Sequence, residues 1–85
     1  MQTDPLYYGL PTRVQLKDLG NNRLGMRKVM KSRIIQKDAA RIIEIAKQIK
    51  SVHPELDISL ICTRNICSKS IELLKEEGIG LIFIE

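Results

Sequence analysis

An α/β domain with the element order β-α-β-α-β is what this sequence predicts, and three observations predict it. Apolar residues recur at helical spacing from Ile35 to Ile49, two later runs are apolar on both faces, and a second segment of helical spacing separates those runs. Strands buried on both faces belong to parallel sheets, and a strand-helix-strand connection within one sheet is nearly always right-handed. Eighty-five residues with 44% hydrophobic and 28% charged content fit one domain, residues 1–85, around a single core. The expected architecture is a small two-layer or three-layer domain with parallel C-terminal strands and a short N-terminal hairpin.

The elements follow in order. Leu6-Tyr7-Tyr8 is predicted as a short strand, and Gly9-Leu10-Pro11-Thr12 as the hairpin-like turn after it. Arg13 to Lys17 alternates polar and apolar residues, which predicts a half-exposed strand with Val14 and Leu16 on its buried side. Residues from Gly20 to about Arg33 hold two glycines and little periodicity, and are expected to form a basic loop. The first helix is expected to begin between Ser32 and Gln36 and to end near Val52. Its inner face is Ile35, Ala39, Ile42, Ile43, Ala46 and Ile49, and the pre-proline position of His53 stops it. Asp57–Cys62 reads as an interior strand, and Thr63-Arg64-Asn65 breaks it. A second helix from Ile66 or Ser68 to Glu77 turns Ile71 and Leu74 inward, with Gly78 just past its end, and Gly80–Ile84 is the last strand.

Composition narrows the function classes. No apolar run approaches the length of a membrane span, and Met1 to Pro5 lack the charged start and apolar core of a signal peptide, so a cytoplasmic protein without a membrane partner is expected. The two cysteines and single histidine are too few for a zinc site, and Cys62, inside an apolar run, reads as a core residue. Tyr7, Tyr8 and Phe83 are the only aromatic residues, which disfavours base stacking along an aromatic sheet face. A chain this short has a thin stability margin, and a homodimer is one way to widen it. No Gly-rich phosphate loop, nucleophile elbow or His-based triad is present.

Charge is the most informative feature. From Arg13 to Lys50 eleven basic residues face three acidic ones, a net +8, whereas Ser51 to Glu85 carries three basic and six acidic residues. Such an asymmetric basic segment is the footprint of phosphate-backbone binding, with DNA expected ahead of RNA. The residues expected to touch nucleic acid are Arg13, Arg23, Arg27, Lys28, Lys31, Arg33, Lys37 and Arg41. Gly20 and Gly25 are expected to let the basic loop move onto its ligand. The alternative is a non-enzymatic protein-protein interaction module, dimeric or not, that meets an acidic partner through the same residues.

Gln15-x-Lys17, on a strand ahead of a helix-strand-helix-strand run, resembles the centre of the restriction-endonuclease-like, or PD-(D/E)XK, nucleases in their Mrr-type glutamine form. The family's N-terminal helix and first strand are expected to be missing. The resemblance implies Mg²⁺ as cofactor, held by Asp4 and Gln15, with Lys17 beside it to orient or deprotonate the attacking water, so that Asp4, Gln15 and Lys17 form the catalytic set. A second candidate position is Thr63-Arg64-Asn65 with Ser68 and Ser70. It lies at the carboxyl end of an interior strand, where open parallel sheets take anionic ligands, and Asn65 or Ser68 can alternatively cap the helix.

Overall fold

The computed structural model describes residues 2–84, and its elements are strands β1 (Gln15–Gly20) and β2 (Arg23–Arg27), helix α1 (Gln36–Val52), strand β3 (Asp57–Cys62), helix α2 (Ser68–Glu76) and strand β4 (Gly80–Phe83). A 3-10 helix, Pro5–Tyr8, precedes them. The strands lie side by side in chain order, β1 antiparallel to β2, then β2, β3 and β4 mutually parallel. Both helices pack against one another and against the same side of the sheet, so the domain has two layers and the other sheet face is bare of helices.

Side-chain alternation explains the layering. Leu24 and Met26 of β2 and Ile58, Leu60 and Cys62 of β3 point toward the helices. There they meet Ala39, Ile42, Ala46 and Ile49 of α1 and Leu74 of α2, all buried. The opposite face carries Gln15, Lys17, Arg23 and Arg27 as exposed residues around Gly25, Ser59 and Ile61. Ile61 is nevertheless buried. A Cβ on Gly25 would lie 2.6 Å from Ile61 Cδ1 and 3.2 Å from Leu19 Cδ1, so the glycine's missing side chain is the space into which those two lean.

Several sequence expectations are corrected. Leu6-Tyr7-Tyr8 is helical rather than a strand, so there is no N-terminal hairpin at that position. Pro5 sits in its first turn, the Asp4 carboxylate accepts the Leu6 amide at 3.0 Å, and Gly9 ends it at φ 75°. Tyr8 and Leu10 then enter the core, and the Gln48 amide donates to the Tyr8 carbonyl at 2.9 Å, which fixes the segment against α1. The first strand starts at Gln15 rather than Arg13 and runs on to Gly20.

The third correction is the largest. Residues 23–27, expected within a loop, are β2, an interior strand between β1 and β3. Its Arg-Leu-Gly-Met-Arg sequence alternates as a strand with one buried side should, and the central glycine obscured that pattern. Asn21 and Asn22 at φ 54° and 60° close a two-residue hairpin between β1 and β2, the positive φ pair that a type I′ turn requires. The fourth concerns Gly20 and Gly25, which do not loosen a loop. Gly20 has φ 80° at the hairpin, and Gly25 is packed inside the sheet.

The remaining elements lie within a residue of the expected bounds, but Ile35, expected on the inner face of α1, is its exposed N-cap, and β4, Gly80–Phe83, is half-exposed as an edge strand on a sheet with one bare face. β3 spans Asp57–Cys62, and α1 reaches Val52. The Asp38 carboxylate, in the first turn of α1, accepts the Ile35 amide at 3.0 Å, satisfying one of the helix's free donors near the positive end of its dipole.

Candidate functional site

Only eight residues, 28–35, join β2 to α1, and they run across the carboxyl ends of the parallel strands. The Lys28 amide donates to the Ile61 carbonyl at 2.9 Å. At the far end the Ile34 amide donates to Asn65 O at 2.9 Å, and the Cys67 amide donates to Ile34 O at 3.0 Å. The connection is therefore tied to the β3–α2 turn, and the two crossover loops form one ledge along the top of the sheet.

A cleft of about 350 Å³ opens beside this ledge. Its cations are Arg13, just ahead of β1, Arg27 at the end of β2, Lys28 on the connection and Arg41 on α1. Its apolar lining is Val14, Met26, Val29, Met30, Ile42 and Ile45, and Gln15 completes it. Among the described residues no carboxylate lines the cleft. Antiparallel pairing makes this possible, because Gln15 lies opposite Arg27 and the start of β1 therefore returns to the carboxyl end of β2. The Gln15 side-chain oxygen accepts from the Arg27 guanidinium at 3.4 Å, a long hydrogen bond that biases where that guanidinium sits.

The other basic residues fall around this centre. Lys31 and Arg33 are exposed on the connection, and Lys37 lies one helical turn before Arg41 on the same stripe of α1. Arg23 stands at the opposite end of β2, four residues and about 13 Å from Arg27, on the bare sheet face that also carries Lys17.

Asp4 does not join Gln15 and Lys17. Its carboxylate caps the 3-10 helix that packs on the α1 side of the sheet, while Gln15 and Lys17 alternate with inward-facing Leu16 and so point from the other side. Among the described residues no group of three or more His, Cys, Asp or Glu side chains is placed to hold a metal ion. Asp4 and Gln15 do not fit a shared Mg²⁺, and no step is derived through one.

The Thr63-Arg64-Asn65 turn is largely occupied with structure. Asn65 O receives the Ile34 amide, the Asn65 amide points to Thr63 Oγ1 at 3.4 Å, and the Arg64 guanidinium lies 5.4 Å from the Phe83 ring centroid. The N-cap of α2 is Cys67, not Asn65 or Ser68, and it makes no side-chain cap. Ser70 is fully buried, with its hydroxyl 3.0 Å from Cys67 Sγ and 3.5 Å from Ile34 O. Hydrogen bonds from Ser70, and the nearby Arg33 charge, hold the Cys67 thiol below the ordinary thiol range.

Sequence reasoning named every cation of the cleft but missed its floor. Met26, Met30 and Ile45 attracted no role, and Val14 and Ile42 read only as buried strand and helix residues. Nothing in the sequence marks these five as lining one cavity, because β2 and its partner strand bring them together.

No family model, curated protein or solved structure matches this chain. No helix among the described residues is long and apolar enough to cross a membrane.

Proposed function

We propose that this chain binds nucleic acid through the phosphate backbone, with the cleft and its ledge as the contact surface. The observation that carries the reading is the set of four cations, Arg13, Arg27, Lys28 and Arg41, lining one cleft with no carboxylate from the described residues beside them. Cations gathered without counter-charges repel one another and gain by meeting phosphates, whose neutralisation releases condensed counterions. Lys31, Arg33 and Lys37 prolong that surface along the ledge and α1, and Lys17 and Arg23 offer further contacts on the bare sheet face. Recognition is by charge and shape rather than by sequence. DNA is the first ligand to try, with RNA beside it. The nuclease activity that the resemblance implies is left out of this reading, since Asp4 is committed to capping a turn on the other side of the sheet.

A protein partner with an acidic face is the second reading. The exposed apolar side chains Val29 and Ile35, which bracket the cationic connection, favour it, because a protein interface would cover them.

Binding of labelled single-stranded and duplex oligonucleotides, followed through a salt titration, tests the first reading. Affinity is expected to fall steeply from low to moderate salt. Arg27→Ala and Arg41→Ala, both at exposed positions, are each expected to reduce the slope of log K against log salt by roughly 0.7 to 0.9. Absence of binding at low salt would sink the nucleic-acid reading.

A further inference from the structure

A surface that meets only phosphates needs cations at intervals and no cavity. This one has a cavity, and its floor is apolar. Met26 and Ile42 are buried at 3% and 1% exposure, and Met30 and Ile45 are half-buried on the flanks. An anion alone gains nothing from such a floor, because desolvating charge against hydrocarbon is costly. The ligand that suits the site is one small molecule or segment with both an apolar body and an anionic group. In a nucleic acid that unit is the single nucleotide, with a base that has an apolar face and a phosphate beside it.

Size and position agree. At about 350 Å³ the cleft is at the lower end of the ~300–1,000 Å³ range of ligand sites, far too small for a duplex and suited to one unstacked unit. It opens at the carboxyl end of β2, the end of a parallel strand at which open α/β sheets bind ligands. The floor offers methionine sulfur, which makes favourable contacts with aromatic rings, and Arg13 and Arg41 can lay a guanidinium on a base as well as meet a phosphate. No aromatic side chain lines the cleft, so the seat works by aliphatic and thioether contact instead of ring stacking.

We infer that this cleft seats a single unpaired nucleotide of a nucleic-acid strand, its base on the Met26, Met30 and Ile45 floor and its phosphate beside Lys28 and Arg41. The inference rests on the nucleic-acid reading above and makes it specific: the preferred ligand is single-stranded or has an everted base. Inserting a base also makes binding depend on groups other than charge, which backbone contact alone does not.

The test uses the unaltered protein at low salt and three short probes, the two single strands of equal length and phosphate count. One is a single-stranded oligonucleotide carrying 2-aminopurine, one the same backbone with abasic residues throughout, and one a duplex. The expected result is at least roughly tenfold tighter binding of the base-bearing single strand than of the abasic strand, from the apolar area the base buries. Its 2-aminopurine fluorescence should change on binding, and Met30→Gln, which adds no charge, should narrow the difference between the base-bearing and abasic strands. Equal binding of base-bearing and abasic strands overturns the nucleotide seat but keeps the backbone reading. Binding of none of the three overturns both.

Discussion

Cys67 and Cys62 are five positions apart and chemically opposite. Cys62 is fully buried at the end of β3, and burial pushes its thiol up, while Cys67 is partly open at the start of α2 with hydrogen bonds and an arginine favouring its thiolate. Thiolate is the reactive form, so iodoacetamide near neutral pH is expected to label Cys67 and spare Cys62 in the folded protein. Ser70→Ala should slow Cys67 labelling, measured by peptide mass, because the hydroxyl at 3.0 Å is lost. Equal labelling of both cysteines would contradict the placement. The inert core role of Cys62 was legible from its apolar neighbours. The character of Cys67 was not, since Ser70 one turn on and Arg33 far back in the chain have no local signature in common.

At the scale of elements, legibility followed periodicity. α1 and β3 each repeat an apolar spacing over enough residues to fix their type and nearly their ends. β2 offers five residues with a glycine at the centre, and only the alternation of Leu24 and Met26 marks it. What specifies β2 is the hairpin before it, and the Asn21-Asn22 turn went unread. Non-glycine residues in the left-handed region are strained, asparagine less than most. Asn22→Gly is therefore expected to leave stability unchanged or raise it by a few tenths of a kcal/mol, whereas a β-branched residue at the same place should cost about 1–2 kcal/mol. Denaturant midpoints of Asn22→Gly and Asn22→Val compare them directly. A valine variant as stable as the parent would mean that the turn does not set the register.

Across the whole molecule the basic and acidic segments meet in places, Arg23 in register with Asp57 and Lys47 and Lys50 beside Glu77, while among the described residues the cleft gathers cations alone. The cations of the cleft come from Arg13 to Arg41, and α2 carries Glu72 and Glu76 on its exposed side. The sequence revealed the charge excess but not its focus, because the antiparallel return of β1 is what brings Arg13 to Arg27. Stability should respond to alkali rather than to acid through the core. Tyr8 is raised by burial and then by Tyr7, and Cys62 by burial. In the unfolded chain these groups lose their protons near about 10 and 8.5, so their contribution is intact below those values and is lost as pH rises beyond them. Cys67, lowered instead, gains its contribution below the ordinary thiol value and is constant above it, so it does not offset the decline. Urea midpoints are expected to drop above about pH 9, with the earlier part of the drop absent in Cys62→Ala; a flat profile to pH 11 would refute this. The doubly tied connection has a consequence for the thermodynamics of any ligand that docks there. Held by Lys28 at one end and by Ile34 at the other, it leaves only residues 29–33 to be ordered on docking. At about 1–2 kcal/mol per residue of backbone fixed, that ceiling is far below what a freely jointed arm spanning the whole basic segment would incur. The affinity of the ledge is therefore set by complementarity more than by disorder, and its association should carry a modest entropic penalty and little change in helix content.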